Sequence, residues 1–208
     1  MWIGRHFALI GIVLAGACAA ALARAQDSAP DPLFEQMLRR DFRAKGIASL
    51  DRLDQDEVQK LCTEARDRLA VAEQARVLRE QLAKIVWPAD GRFLGDWRAG
   101  EKLAQDGRGM TWTDRAGSSV GGSCYACHQL SATEIAHGTI GPSLLHLGRD
   151  RGASPEIQKY VYGHIYNAKA YNLCSYMPRF GVSGALTEQQ IKDLVALLLD
   201  PESPVNRD

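Results

Sequence analysis

The chain has no net charge: 25 lysines and arginines balance 25 aspartates and glutamates. Without a basic excess, nothing draws it to a phosphate backbone, and no nucleic-acid partner is expected. Phosphate-loop, dinucleotide-binding and H-E-x-x-H patterns are missing, so nucleotide-dependent and zinc-peptidase chemistry lack their residues. No stretch sustains the period-two alternation of a half-buried strand. An all-α fold is expected. The one long apolar run, from Phe7 to Ala23, falls just under the usual length of a membrane span.

That run follows the basic start Arg5-His6 and ends at Ala23-Arg24-Ala25, the small-residue pattern of a secretory cleavage site. The expectation is export to the periplasm with cleavage near Ala25. A retained anchor is the alternative, and Leu14-Ala15-Gly16-Ala17-Cys18 stands one residue out of register with a lipoprotein signal. Loss of Arg5 and Arg24 with the leader leaves a slight acidic excess. Cys62, Cys124, Cys127 and Cys174 would remain, in an oxidising compartment that permits disulfides.

Three segments are expected: a signal peptide over 1–25, an N-terminal helical extension over 26–90, and a principal domain over 91–208. In the extension, Leu33, Met37 and Leu38 mark a short helix that Gly46 ends. A longer helix is predicted from Gln55 to Val86, striped by Val58, Leu61, Cys62, Ala65, Leu69, Ala72, Ala75, Leu78, Leu82 and Ile85. Such a stripe must be buried, against the principal domain, the first helix or a partner. Trp87-Pro88-Ala89-Asp90-Gly91 breaks the modules, since Pro88 pushes Trp87 out of helical space. A short helix follows around Ala99–Ala104, where Gly100 stands at a position that a larger side chain would close to another helix. Arg108–Ser123 reads as loop. Ser154-Pro155-Glu156 begins a helix running to about Tyr166, and Asn172–Gly184 is loop again. Thr187 and Gln190 form a capping-box pair at the start of a last helix lined by Ile191, Leu194, Val195 and Leu198; Pro201 follows its end.

The most informative residues are Cys124-Tyr125-Ala126-Cys127-His128. A C-x-x-C-H run reads as a c-type haem attachment site, the two thiols adding to vinyl groups and the imidazole ligating iron. C-x-x-C alone also fits a redox dithiol. No second such run occurs, so one covalently bound haem c is expected, with His128 as the proximal ligand. The other ring nitrogen of His128 should donate to a backbone carbonyl at Gly141-Pro142. Met177, before Pro178 in a loop between helices, is the candidate for the opposite axial position. Met110, His137, His146 and His164 compete for it, and Met37 reads as packing. Two filled axial positions favour electron transfer over catalysis at the iron. Cys174 could pair with Cys62, or both could be free thiols. Tyr160, Tyr162, Tyr166, Tyr171 and Tyr176 cluster before Met177, and Arg179 could meet a haem propionate or a partner.

Several stretches together carry a resemblance. They are Gly95-Asp96-Trp97, Gly121-Gly122-Ser123 leading into the cysteine run, Gly138-Thr139-Ile140-Gly141-Pro142-Ser143-Leu144, Met177-Pro178-Arg179-Phe180-Gly181, and Leu199-Asp200-Pro201-Glu202-Ser203-Pro204-Val205-Asn206. Over about Gly91 to Asn206 the chain resembles the SoxX family, the monohaem subunits of the SoxAX cytochromes of bacterial thiosulfate oxidation. The resemblance implies a class I-like cytochrome c domain, with Cys124 and Cys127 as haem thioethers and His128 and Met177 as the axial pair. It implies a heterodimer with a SoxA-like haem subunit that joins thiosulfate to a cysteine of the SoxYZ carrier, an L-cysteine S-thiosulfotransferase. The sulfur-transfer site would lie on the SoxA partner, so no catalytic residue is assigned here. This chain would relay electrons to a small c-type cytochrome. An independent periplasmic electron shuttle is the alternative reading. The extension goes beyond a minimal monohaem domain and departs from the pattern.

Overall fold

Seven α-helices form among the described residues, 31–65, 69–118 and 120–207 of the computed structural model. They are α1, Pro32–Asp41; α2, Glu57–Ala65; α3, Val71–Ala83; α4, Trp97–Gln105; α5, Leu147–Arg151; α6, Pro155–Tyr166; and α7, Glu188–Leu199. The β-type pairing among these residues is one isolated bridge between Lys45 and Ala48. The fold is all-α, as the missing strand alternation predicts. The expected leader, its cleavage at Ala25 and Cys18 lie outside the described residues. By itself, α1 is an amphipathic helix with no buried residue.

The last helix organises the principal domain. Thr187 Oγ1 accepts from the Gln190 N–H at 3.3 Å while Gln190 Oε1 accepts from the Thr187 N–H at 2.9 Å, the reciprocal cap read from the sequence. Every residue from Ile191 to Leu199 is buried, polar Lys192 and Asp193 included. Such all-round burial marks a helix enclosed by its neighbours. Helix α4 lies closest to it. An added Cβ at Gly100 would stand 2.2 Å from the Asp193 carbonyl oxygen, so the two backbones meet there. Asp193 Oδ1 also accepts from the Asp96 N–H at 2.9 Å and from Gln189 Nε2 at 2.8 Å. Lys192 keeps its charge by pairing with Glu188 at 2.8 Å and Asp90 at 3.3 Å. The buried polar groups of α7 thus tie down the segment that enters α4.

The C-terminal tail closes the other side. Asn206 Nδ2 donates to the carbonyls of Leu198 (3.1 Å) and Asp200 (2.8 Å), and its Oδ1 accepts from the Arg149 N–H at 3.1 Å. One side chain therefore joins the end of α7 to α5, an element the sequence pattern does not predict. Helix α6 starts where expected, with Ser154 Oγ accepting from the Ile157 N–H and Pro155 in the first turn.

The single helix predicted from Gln55 to Val86 is not what forms. Two helices form in its place, α2 and α3, and they share a second, smaller core of Val58, Val77 and Leu173, flanked by Leu61, Cys62, Leu69, Leu78 and Cys174. A continuous helix of that span would run about 48 Å, too long for both halves of its stripe to converge on Leu173. The stripe also shifts in phase: Val77 and Gln81 are buried in α3, while Leu82 stays 43% exposed. Asn167 explains the shift, since its amide donates to the Gln81 carbonyl at 2.8 Å and to Gln81 Oε1 at 3.3 Å. The extension from α2 onward therefore packs within the chain.

Cys62 and Cys174 form a disulfide across 112 residues of sequence, deciding between the paired and free-thiol readings. In the chain-entropy account, a closure of that length restricts the unfolded chain by roughly 4–5 kcal/mol. The close approach of α4 and α7 sets a direct test. Gly100→Val should lower stability by about 3 kcal/mol through overpacking, read as a shift of the urea midpoint at unchanged slope.

Candidate functional site

Cys124–Ala126 forms a 3-10 turn, entered through Ser123 at φ 48°. The His128 N–H donates to the Cys124 carbonyl at 2.9 Å, so Cys124, Cys127 and His128 share one tight loop. The turn is fixed from two sides. Gly122 N–H donates to the Leu103 carbonyl at 2.8 Å and Ser123 N–H to that of Asp106 at 2.9 Å, hooking it to the end of α4. From the other side, the N–H groups of Gly138, Gly141 and Leu144 donate to the carbonyls of Tyr125, Cys127 and Gln129, each at 2.8 Å. The loop over 138–144 thus runs beside the turn as a second rail.

That rail orients the imidazole. His128 Nδ1 lies 2.7 Å from the Pro142 carbonyl oxygen. A carbonyl can only accept, so Nδ1 carries the proton and Nε2 keeps its lone pair when the ring is neutral. The predicted carbonyl partner at Gly141-Pro142 is where the sequence places it. Gly141 makes the approach possible: an added Cβ would stand 2.1 Å from Cε1 and 2.5 Å from Nδ1 of the ring.

The surroundings are apolar. Burial pushes the Cys124 thiol up to about 12. Burial, followed by the nearby Glu101 and Glu134 carboxylates, raises the Tyr125 phenol to about 12. Desolvation raises Glu101 as well. His164 is held below the ordinary histidine value by burial first and by the neighbouring His128 second. It stacks on Tyr171 at 4.7 Å between ring centres. His164 is therefore an interior neighbour of His128.

Met177 reaches the same core by another route. Both Met177 and Cys124 pack against the main cluster that includes Leu194, Leu197 and Tyr162. The Met177 N–H donates to Ser175 Oγ at 3.1 Å. Its competitors are otherwise engaged or placed. Met110 sits at φ 63° with its carbonyl accepting from Arg52, His137 Nδ1 lies 3.3 Å from the Gly138 carbonyl, and His146 Nδ1 lies 2.5 Å from an Arg149 nitrogen. Tyr162 and Tyr166 stack at 5.9 Å beneath the loop, while Tyr176 is 81% exposed. Arg179 pairs with Asp56 at 2.6 Å. Asp56 is the residue that the sequence reading passed over. Its Oδ1 also accepts from the Gln59 N–H at 2.9 Å, so its legible signal was that of a helix cap. Burial raises its carboxyl, but the Gln59 N–H and the Arg179 guanidinium outweigh that and hold it below the ordinary carboxylate range.

One expectation is corrected by this geometry. A metal centre built from side chains converges several donors on one point. Among the described residues no group of three or more His, Cys, Asp or Glu side chains does so. The cysteines within bonding distance are Cys62 and Cys174, while Cys124 and Cys127 are separate free thiols. The expectation of one covalently bound haem c, and with it the description of the chain as haem-, iron- and metal-binding, is corrected on that finding.

The closeness of Gly141 to the ring gives a prediction. Gly141→Ala should displace the imidazole and break its bond to Pro142. Loss of the slowly exchanging Nδ1 proton of His128 in nitrogen-15 NMR, with the signals of α7 unmoved, is the expected result.

Residues 95–200 match the family model for cytochrome c. Over 160 residues the chain is 41% identical to a protein of Aquifex aeolicus (strain VF5) described as an uncharacterized lipoprotein, spanning 74% of this chain and 73% of that protein. That description names no thiosulfate chemistry, and Sox-specific terms gain no support from it. What the comparisons show is the broader membership: the chain belongs to the cytochrome c family and carries a cytochrome-c-like electron-transfer domain.

Proposed function

We propose that this chain is the electron-transfer subunit of a two-protein sulfur-oxidising enzyme of the SoxAX kind, with Cys124, Cys127, His128 and Met177 forming its electron-transfer site. One observation carries the site. The turn that holds Cys124 to His128 and the loop that holds Met177 are distant in sequence yet pack on one core. The finer reading draws its support from Met177-Pro178-Arg179-Phe180-Gly181 and from the Pro204-Val205-Asn206 tail. The core buries that tail and bonds it to α5 and α7.

In the proposed reaction a thiol of a SoxYZ-like carrier loses its proton and forms a sulfur–sulfur bond to thiosulfate, releasing two electrons. Bond formation belongs to the SoxA-like partner. This chain contributes no group to it. The redox group at that site would take those electrons from the partner and pass them on to a small c-type cytochrome, the final oxidant, while Cys124, Cys127, His128 and Met177 would position it. A rigid site suits that task, because small rearrangement on gain or loss of an electron keeps the transfer fast.

Stopped-flow spectroscopy and protein-film voltammetry of the full chain test the reading. With its SoxA-like partner, the carrier and thiosulfate present, the chain should become reduced. Alone with thiosulfate it should not. Reduction that needs no partner would favour an independent shuttle instead. Met177→Ala should shift the midpoint potential while leaving the fold intact, and an unchanged midpoint would remove Met177 from the site.

The proposed location is the periplasm, after cleavage that leaves Gln26 first. Mass spectrometry of the mature chain checks this. The Aquifex relative is described as a lipoprotein, so a lipid-modified Cys18 in place of that terminus would make this chain membrane-tethered too.

A further inference from the structure

We propose that the stretch from Asp56 to Cys62 is a positioning clamp for the Met177 loop, holding it once on each side of Met177. The inference rests on the reading above in which Met177 belongs to the electron-transfer site. The two attachments differ in chemistry. Before Met177, Cys174 is bonded to Cys62, with the two Cα atoms 5.4 Å apart. After it, the Arg179 guanidinium pairs with the Asp56 carboxylate at 2.6 Å. Asp56 and Cys62 are six residues apart across the start of α2, a rise of about 9 Å, and they present a rigid two-point mount.

The loop needs such a mount. Residues 174–180 lie outside every helix and the neighbouring Tyr176 is 81% exposed, so beyond the packing of Met177 and Phe180 on the main core no regular element sets the loop's position. Segments of that kind open locally at low cost unless they are held. Between the two anchor points, Val58 is 2% exposed and packs with Leu173, itself 4% exposed. Buried Lys169 adds a third constraint, donating from Nζ to the Leu173 carbonyl at 3.2 Å. Leu173 is thus plugged into the small core of α2 and α3, Cys174 is bonded beside it, and Arg179 is caught beyond Met177. The Arg179 side chain is only 18% exposed, so it is held against the extension and is not presented to solvent. The extension, which a minimal domain of this family does not need, thereby acquires a function. It fixes a site residue that no helix carries.

The test uses the full chain and three variants: Asp56→Asn, the double variant Cys62→Ser with Cys174→Ser, and the triple combination. Two readouts are made by mass spectrometry. One is amide hydrogen exchange over 174–181. The other is the rate at which dilute hydrogen peroxide converts Met177 to its sulfoxide, with Met110 in the same sample as the internal reference. Both rates should rise in each variant, by about 10-fold or more in the triple variant, while Met110 oxidation and exchange in α7 stay at wild-type values. Asp56→Asn keeps the disulfide and serves as the test should the disulfide-free chain not fold. Unchanged Met177 oxidation and unchanged loop exchange in the variants would overturn the clamp. So would a rise shared equally by α7, which would mean general destabilisation.

Voltammetry of the same variants separates the two claims. A loosened loop together with an unshifted midpoint in Met177→Ala keeps the clamp and removes Met177 from the electron-transfer site. A firm loop together with a shifted midpoint in Met177→Ala does the reverse.

Discussion

The contact between the backbones of α4 and α7 is the constraint from which the rest of the domain is built. At Gly100 the two helices approach until only a hydrogen fits between them, with the Asp193 carbonyl oxygen where a side chain would begin. Everything around the candidate site is referenced to that pair. The end of α4 supplies the carbonyls of Leu103 and Asp106 that receive the turn at Gly122 and Ser123. The start of α4 is held by the Asp193 carboxylate, and the end of α7 is joined to α5 through Asn206. Moving α4 by the width of a methyl group would move the turn bearing Cys124, Cys127 and His128 with it, because interiors packed at crystal density transmit such shifts.

A second, smaller core braces the loop that carries Met177, while Met177 itself packs on the main core. Val58 and Val77 come from two helices of the extension and Leu173 from the loop before Met177. A covalent bridge and an ion pair reinforce that contact on the two sides of Met177. Both halves of the candidate site thus pack on the one main core, and the Met177 loop gains a further attachment to the added segment. Both are stiff, and stiffness suits a protein whose task is to pass electrons without rearranging.

The buried polar groups of α7 and the C-terminal tail are paired. Each buried charge or amide that positions an element has a named partner: Lys192 has Glu188 and Asp90, Asp193 has two donors, Asn206 has four contacts with α5, α7 and the tail. Unpaired, such groups would cost more than an apolar residue in the same place. Paired, they select one arrangement of the helices over close alternatives. Ile135 and Ile140, by contrast, are left exposed.

Local chemistry that acts within a few residues was legible in the sequence: the cap at Thr187 and Gln190 and the start of α6 at Ser154-Pro155, each set by hydrogen-bond geometry at fixed short spacing. The small residue at Gly100 and the carbonyl partner of His128 near Pro142 were legible from residue type, although the contacts they make reach 93 and 14 residues along the chain. The break between α2 and α3, the burial of Gln81 in place of Leu82, the pairing of Arg179 with Asp56 and the choice of a Cys62–Cys174 bridge were settled elsewhere. Those depend on which surfaces meet across more than eighty residues of chain, and periodicity carries no record of that. The extended apolar stripe over 55–86 read as one helix because nothing in its order forbids one. Leu173, delivered from the far end of the chain, is what Val58 of α2 and Val77 of α3 pack against together.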